Sequence, residues 1–494
     1  MKGKAMGEGQ TPVGCEPRRR HSSLPVPQGL CALLGLVGML CSPWAVAQAG
    51  LDSLIARTLP AGSHVGISAY DLTADQPLID YQGDRLCRPA STMKLLTAIT
   101  ALSTGAADRP LRTELWARGT LQGDTLVGDL IVVGGMDTEL TEQSLDSMAR
   151  TVARWPVRVV TGRLLGDVSL RDSIYWGRGW AWDDAPDAFQ PYLSPLMLCR
   201  GVVTVDVNPG NKGDTAEVCV SPASTFYTID NRSRSRTPAA GPLTISRDWM
   251  TLGNHILVHG NVDRRSSTQL SVYPSQDFFL HTFAERLQQA GVCIDAGYAY
   301  EEFQPTATST LVMAYETPMQ DLLEQMLKES DNLCAEALLT LLGYHTTGHR
   351  HVSAKDGLKA VEQIMKSMGH DPHDYKLADG CGLSPYNYLS PSLLVDFLRY
   401  AFARPDVYRR LLAALPVGGI DGTLKYRMRS GTPSFRRVHA KTGSVTGIYC
   451  LAGYLRTAAG HTVAFAIMNQ NVLSGRQARQ MQDEICDLLV ESQW

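Results

Sequence analysis

Apolar and polar positions alternate from His64 to Asp71, which predicts a strand, and Pro77 to Tyr81 follows as its hairpin partner. After Ser91 the period changes. Leu95, Leu96, Ile99 and Leu102 recur at helical spacing, so a buried helix is expected behind the strand pair. From about Arg109 to Glu302 the chain turns into short β-branched runs separated by Gly, Asp and Asn: Leu126 to Val133, Val157 to Leu164, Val202 to Val207, Glu217 to Val220 and His255 to Gly260. These predict one or two β-rich modules, with Asn231 to Arg236 as a basic turn. Helical periodicity returns with Met319 to Leu342 and Gly357 to Met368. Gly447 to Leu455 and Thr462 to Asn469 then read as an antiparallel hairpin, and Arg476 to Val490 as a closing helix. The expected organisation is one α/β unit, residues 48–105 and 306–494, split by a β-rich insertion at 106–305 with a nested subdomain near 196–270.

Composition narrows the function classes. A chain of 494 residues with 44% hydrophobic and 19% charged positions has ample material for a core. A formal charge of -3 gives no general attraction to phosphate backbones, so nucleic acid is not an expected partner. Arg18-Arg19-Arg20, the short apolar run Gly29 to Cys41 and Ala45-Val46-Ala47 have the layout of a secretory signal peptide, with cleavage expected after Ala47. The expected location is the periplasm, with an uncleaved membrane anchor as the alternative and peripheral membrane association left open. Eight cysteines follow the expected cleavage point, from Cys87 to Cys486, without C-x-x-C pairs or zinc-ligand spacing, so most are expected as small buried apolar groups.

Only 11 of the 46 basic residues are lysines, and Lys94 alone has a serine three positions before it. In Ser91-Thr-Met-Lys94 the i, i+3 spacing puts hydroxyl and amine on one helix face. A buried lysine beside a second cation loses its proton more readily and can serve as a base. Taken alone, the motif also fits a serine cap beside an exposed lysine. Two further motifs support the catalytic reading. Ser330-Asp331-Asn332 stands at a helix junction, and Lys441-Thr442-Gly443-Ser444 lies in a strand whose glycine permits close backbone approach by an extended peptide. Lys441 would supply the second cation, Thr442 a hydroxyl for a carboxylate, and Ser444 an oxyanion-binding N–H.

Taken in order, S-x-x-K, S-x-N and K-T-G form the active-serine signature of penicillin-recognising enzymes. From Ser91 to Ser330 is 330 - 91 = 239 positions, an interval compact β-lactamases lack. With Gly134-Gly-Met-Asp137, Gly179-Trp-Ala-Trp-Asp-Asp184, Ser330 to Glu336 and Asp379-Gly-Cys-Gly-Leu-Ser384, the chain resembles the D-alanyl-D-alanine carboxypeptidase/endopeptidase family of low-molecular-mass class C penicillin-binding proteins. That resemblance implies a penicillin-recognising serine transferase fold, an α/β (α+β) arrangement of an antiparallel sheet flanked by helices, with a large β-rich domain inserted between the first and second motifs. It also implies an exported serine peptidase without cofactor, acting on peptidoglycan stem peptides ending in D-Ala-D-Ala and acylated by β-lactams. By position, Ser91 matches the nucleophile, Lys94 its proton acceptor, Ser330 a proton relay and Asn332 the amide that binds the substrate backbone. Lys441 and Thr442 match the pair holding the terminal carboxylate, and Asp137 an aspartate that contacts a stem-peptide amine. Two positions depart from the family pattern: Cys381 replaces a serine, and Pro385 stands where an arginine often occurs.

His345, His349, His351, His370 and His373 lack the accompanying pattern of a zinc site, and no metal is expected. Trp176, Trp180 and Trp182 suggest either packing within the insertion or a sugar-stacking platform. The competing functions are a β-lactamase or esterase of the same fold and a non-catalytic cell-wall binding protein.

Overall fold

A computed structural model describes residues 43–492. The basic and apolar stretches of the expected export signal lie outside the described residues. Five antiparallel strands form the central sheet in the order Val438–Val445, Ile448–Arg456, Thr462–Gln470, His64–Asp71, Gln76–Tyr81. Both faces of this sheet are covered. Along Thr462–Gln470 the side chains alternate: Val463, Phe465 and Ile467 pack with Leu51, Ile485 and Leu489 of the two terminal helices, Pro43–Thr58 and Gly475–Glu491. Ala464, Ala466 and Met468 face the opposite core, with Met93, Leu96 and Phe397. A strand buried on both sides therefore reads as a nearly continuous apolar run.

Helix Met93–Thr104 is buried along its first ten residues, Met93 to Leu102, and ends at Gly105 in the left-handed conformation. Its N-terminus meets the edge strand Val438–Val445, which fixes the relation between the first and third motifs. The second motif lies in the break between helices Met319–Lys328 and Asn332–Thr347.

The insertion departs from the expected picture in four ways. It contains two helices, Glu142–Arg154 and Ser275–Gln289, that the β-rich reading leaves out. The first is closed by a capping box between Thr141 and Ser144, a signal whose N3 residue is serine instead of the usual Glu or Gln. Residues 231–236 are not mainly a turn. They fall largely within strand Thr228–Ser235, parallel to His255–Val262, with Ser233 and Ser235 buried and Arg232 and Arg234 facing outward. Period-2 burial of the serines explains the alternating Arg-Ser text. The run Val157 to Leu164 divides into two short strands, Val159–Val160 and Leu164–Asp167. Strand Ser309–Thr317 pairs with Leu111–Gln122 in the insertion's seven-stranded sheet, so the junction expected at 306 moves to about Pro318. Between Val202 and Ser271 the chain forms two further three-stranded sheets.

All eight described cysteines are free thiols, five of them buried, while Cys219 and Cys293 are exposed. Among the described residues no helix is long and apolar enough to cross a membrane.

Phe465 is fully buried at the centre of the sheet, so Phe465→Ala should cost about 3–5 kcal/mol of stability, read as a lower denaturant midpoint at unchanged slope.

Candidate active site

Ser91 sits in a single 3-10 turn, Ala90–Thr92, that leads into the buried helix, and Lys94 follows on its first turn. The Lys94 side chain is fully buried and donates to three acceptors: Ser91 Oγ at 3.0 Å, Asn332 Oδ1 at 2.7 Å and the Cys381 carbonyl at 2.8 Å. Burial lowers its pKa from the ordinary lysine value, against the opposing pull of neighbours such as Cys381, Asp379, Asp331 and Glu336. In the neutral amine two N–H groups can keep Asn332 and Cys381, leaving the lone pair for the Ser91 hydroxyl proton.

Lys441 is equally buried, donating to Ser330 Oγ at 2.8 Å and to the Thr442 carbonyl at 2.7 Å. Burial first, and the Lys94 charge second, push its pKa well down. Ser330 itself holds φ at +65°, an uncommon conformation for a serine, at the helix break. Next to it Asp331 caps helix Asn332–Thr347 by accepting from Cys334 N at 2.9 Å and pairs with Arg200 of the insertion at 2.7 Å. Asn332 then reaches both ways, its Oδ1 to Lys94 and its Nδ2 to the Phe189 carbonyl of the insertion at 2.8 Å.

Gly443 lets the edge strand approach Ser91: a Cβ there would stand 2.6 Å from the Pro89 carbonyl and 3.1 Å from the Ser91 nitrogen. Thr442 Oγ1 donates to Thr423 Oγ1 at 2.9 Å, and Ser444 is exposed on the same strand. Gly382 makes a second close approach, with φ at +84° and the Ala90 carbonyl where a Cβ would be.

The site residues read from the three motifs thus converge on one cleft. Asp137 does not join them. It is 1% exposed, and its carboxylate accepts from Glu139 N at 3.0 Å and Thr317 Oγ1 at 3.0 Å, which closes it off from a substrate amine. The GGMD stretch is a mostly buried irregular segment, and its aspartate accepts from the backbone N–H of Glu139.

Sequence reading did not assign the layer behind the lysines. Asp379 is buried and accepts from Gly382 N, Ser384 N, Asn387 Nδ2 and Trp180 Nε1, all between 2.7 and 2.9 Å. Glu336 Oε1 accepts from Gly380 N at 2.8 Å and Cys381 N at 3.0 Å. These bonds order the 379–387 loop and aim the Cys381 carbonyl at Lys94. The signal was in plain text, because Trp180, Glu336 and Asp379 belong to the stretches that carried the family resemblance without a role. Glu336, Asp379 and Cys381 are also the group of ligand-type side chains that gathers within 4.8 Å among the described residues. Glu336 Oε1 and both Asp379 oxygens are engaged by N–H donors that order the loop, while Glu336 Oε2 has no partner among the described residues. The histidines are dispersed: His345 bonds the Thr104 carbonyl at 2.9 Å, while His351 and His370 pair with Glu302 and Asp396.

Burial, reinforced by Asp379, pushes the Glu336 carboxyl up to about 7. A carboxyl with a raised folded-state pKa stabilises the fold fully below the unfolded value of about 4.3 and loses that contribution as pH rises through about 7. Glu336→Gln keeps the acceptor for Gly380 and Cys381 but cannot ionise. The variant should therefore show a flatter stability profile than the parent between pH 4.5 and 7.5, measured by urea unfolding.

The D-Ala-D-Ala carboxypeptidase 3 (S13) family model matches residues 47–492. Over 458 residues, 89% of this chain and 84% of the relative, the sequence is 32% identical to a D-alanyl-D-alanine carboxypeptidase of Actinomadura sp. (strain R39). It is 27% identical over 419 residues to the D-alanyl-D-alanine carboxypeptidase DacB of Haemophilus influenzae, covering 83% of this chain and 86% of that one. The crystal structure of penicillin binding protein 4 (dacB) from Haemophilus influenzae aligns with a TM-score of 0.77 at 25% identity, over 89% of this chain and 99% of that chain. The expected penicillin-recognising serine transferase fold is thus the observed one.

Proposed function

Because the chain belongs to the D-Ala-D-Ala carboxypeptidase 3 (S13) family, we propose that it is an exported serine peptidase that cleaves D-Ala-D-Ala termini and cross-links of peptidoglycan through an acyl-enzyme on Ser91. One observation carries this reading: the buried Lys94 Nζ lies 3.0 Å from Ser91 Oγ, with a second buried amine, Lys441, hydrogen-bonded to Ser330 across the cleft. The first pair supplies a nucleophile and its base. The second supplies an acid for the leaving group.

In acylation the neutral Lys94 amine takes the Ser91 proton as Oγ attacks the carbonyl carbon of the D-Ala-D-Ala bond. The oxyanion is received by the backbone N–H groups of Ser91 and Ser444. Collapse of the intermediate breaks the C–N bond. The departing amine takes a proton from Ser330, which is refilled from Lys441. In deacylation a water adds to the ester, its proton passes through Ser330 to Lys441, and Lys94 returns its proton to Ser91 as the ester bond breaks. Both lysines end as they began. Asn332 holds the substrate's backbone carbonyl, and Lys441 with Thr442 binds the terminal carboxylate, which favours the charged form of Lys441 until the proton is needed. A β-lactam follows the first half with its ring C–N bond, whose leaving amine stays tethered to the acyl group. Gly443 lets an extended peptide lie along the Val438–Val445 edge strand.

Export is supported by the Arg18 to Ala47 segment of the sequence, and a cell-wall location by the relatives' activity. Purified protein incubated with a fluorescent penicillin should carry one covalent label, and with a D-Ala-D-Ala peptide should release D-alanine. Ser91→Ala should lose both by at least ~10³-fold. Rapid penicillin turnover without peptide cleavage would point instead to a β-lactamase. A cross-linked muropeptide dimer run in parallel tests the endopeptidase activity.

Acylation needs the uncharged Lys94 amine, and its lowered pKa makes that form available below the ordinary lysine range. The second-order rate of penicillin labelling should rise with pH and level off below the free-lysine value of about 10.4. A limb that climbs through that value unchanged would assign the base elsewhere.

A further inference from the structure

The sequence leaves Trp176, Trp180 and Trp182 open to packing or to sugar stacking, and all three line one pocket. Trp176 packs inward, stacked on Tyr273 at 5.8 Å and edge-on to Tyr192 at 5.2 Å. Trp180, Trp182, Trp249 and Leu252 line an open pocket of about 380 Å³, with the buried Tyr192 as its floor. Trp182 and Trp249 lie 5.1 Å apart and tilted by 37°, yet Trp182 keeps 68% of its surface exposed. The floor is rigid, since the buried Tyr192 hydroxyl accepts from Arg247 Nη2 at 2.9 Å.

One polar group breaks this apolar lining. Gln190 is 2% exposed and lines the pocket, and its Oε1 has no hydrogen-bond partner among the described residues. A buried carboxamide oxygen left unpaired is costly, so a ligand that satisfies it gains affinity. No carboxylate lines the pocket to pair with a cation: Asp183, Asp184 and Asp187 of the same loop lie outside it. An alkyl side chain would leave the oxygen unpaired. A pyranose ring bearing an acetamido group meets all the requirements. Its C–H face lies on the electron-rich indole faces, and the acetamido N–H and C=O pair with a carboxamide in either orientation.

Position supports the same occupant. Gln190 follows Phe189, whose carbonyl accepts from Asn332, and Trp180 bonds Asp379 behind Lys94, so the pocket opens beside the cleft. A stem peptide of four residues reaches at most about 14 Å, so the sugar that carries it lies within that distance of the scissile bond. We propose that this pocket is a glycan subsite that holds an N-acetylated amino sugar of the peptidoglycan strand while its stem peptide occupies the cleft. The proposal rests on the peptidase reading.

Two measurements on the full chain separate the two readings. In the first, KM and kcat are compared for a disaccharide-pentapeptide and the same pentapeptide without sugar. Trp182→Ala should raise KM for the sugar-bearing substrate about tenfold at unchanged kcat and leave the sugar-free substrate untouched. Equal effects on both substrates, or none, would overturn the glycan subsite and leave the peptidase standing. The second needs no turnover: an N-acetylglucosamine trisaccharide should quench tryptophan fluorescence saturably in Ser91→Ala, and no longer do so after adding Trp182→Ala or Trp249→Ala. Failure to quench in Ser91→Ala overturns the subsite whatever the peptide assay gives.

Discussion

Two fully buried lysines within electrostatic reach of each other are the constraint around which this site is organised. Neither amine can be placed there cheaply, and both cannot readily be charged at once. The fold answers with acceptors on every side: Ser91, Asn332 and the Cys381 carbonyl for Lys94, and Ser330 and the Thr442 carbonyl for Lys441. A proton gained at one amine makes a proton at the other less favourable, which is the coupling that alternating acid and base roles require.

The acceptors come from four remote parts of the chain, and long-range packing has to assemble them. The sheet does this by being buried on both faces, one side holding the terminal helices together and the other seating the helix that carries Lys94. Behind the loop that delivers the Cys381 carbonyl, Asp379 and Glu336 bind backbone N–H groups and so convert a flexible turn into a fixed acceptor. The loop accommodates cysteine at 381, which contributes its carbonyl to Lys94 and donates its thiol to Asp379 Oδ2 at 3.5 Å.

Motif chemistry was the most legible layer of the sequence, since a hydroxyl and an amine three positions apart on a helix, or a glycine in an edge strand, carry their geometry with them. The central strands were equally plain, because their periodicity is imposed by two buried faces. What escaped depended on partners no local pattern encodes. Asp137 looked like a cleft residue by resemblance, yet Thr317 and the Glu139 N–H enclose it. The arginines of 232–236 looked like a turn by composition, yet the buried serines between them place most of the segment in a strand. Helices Glu142–Arg154 and Ser275–Gln289 were hidden in a stretch read for strands alone.

Arg200 and Phe189 give the insertion a stake in the cleft: one pairs with the residue that caps the Asn332 helix, the other accepts from Asn332 itself. Excising residues 106–317 to make a minimal enzyme would therefore be an amputation through the active centre. What remained would have a loosened Asn332 and no counterion for Asp331, so miniaturisation of this scaffold has to keep that contact patch or rebuild it.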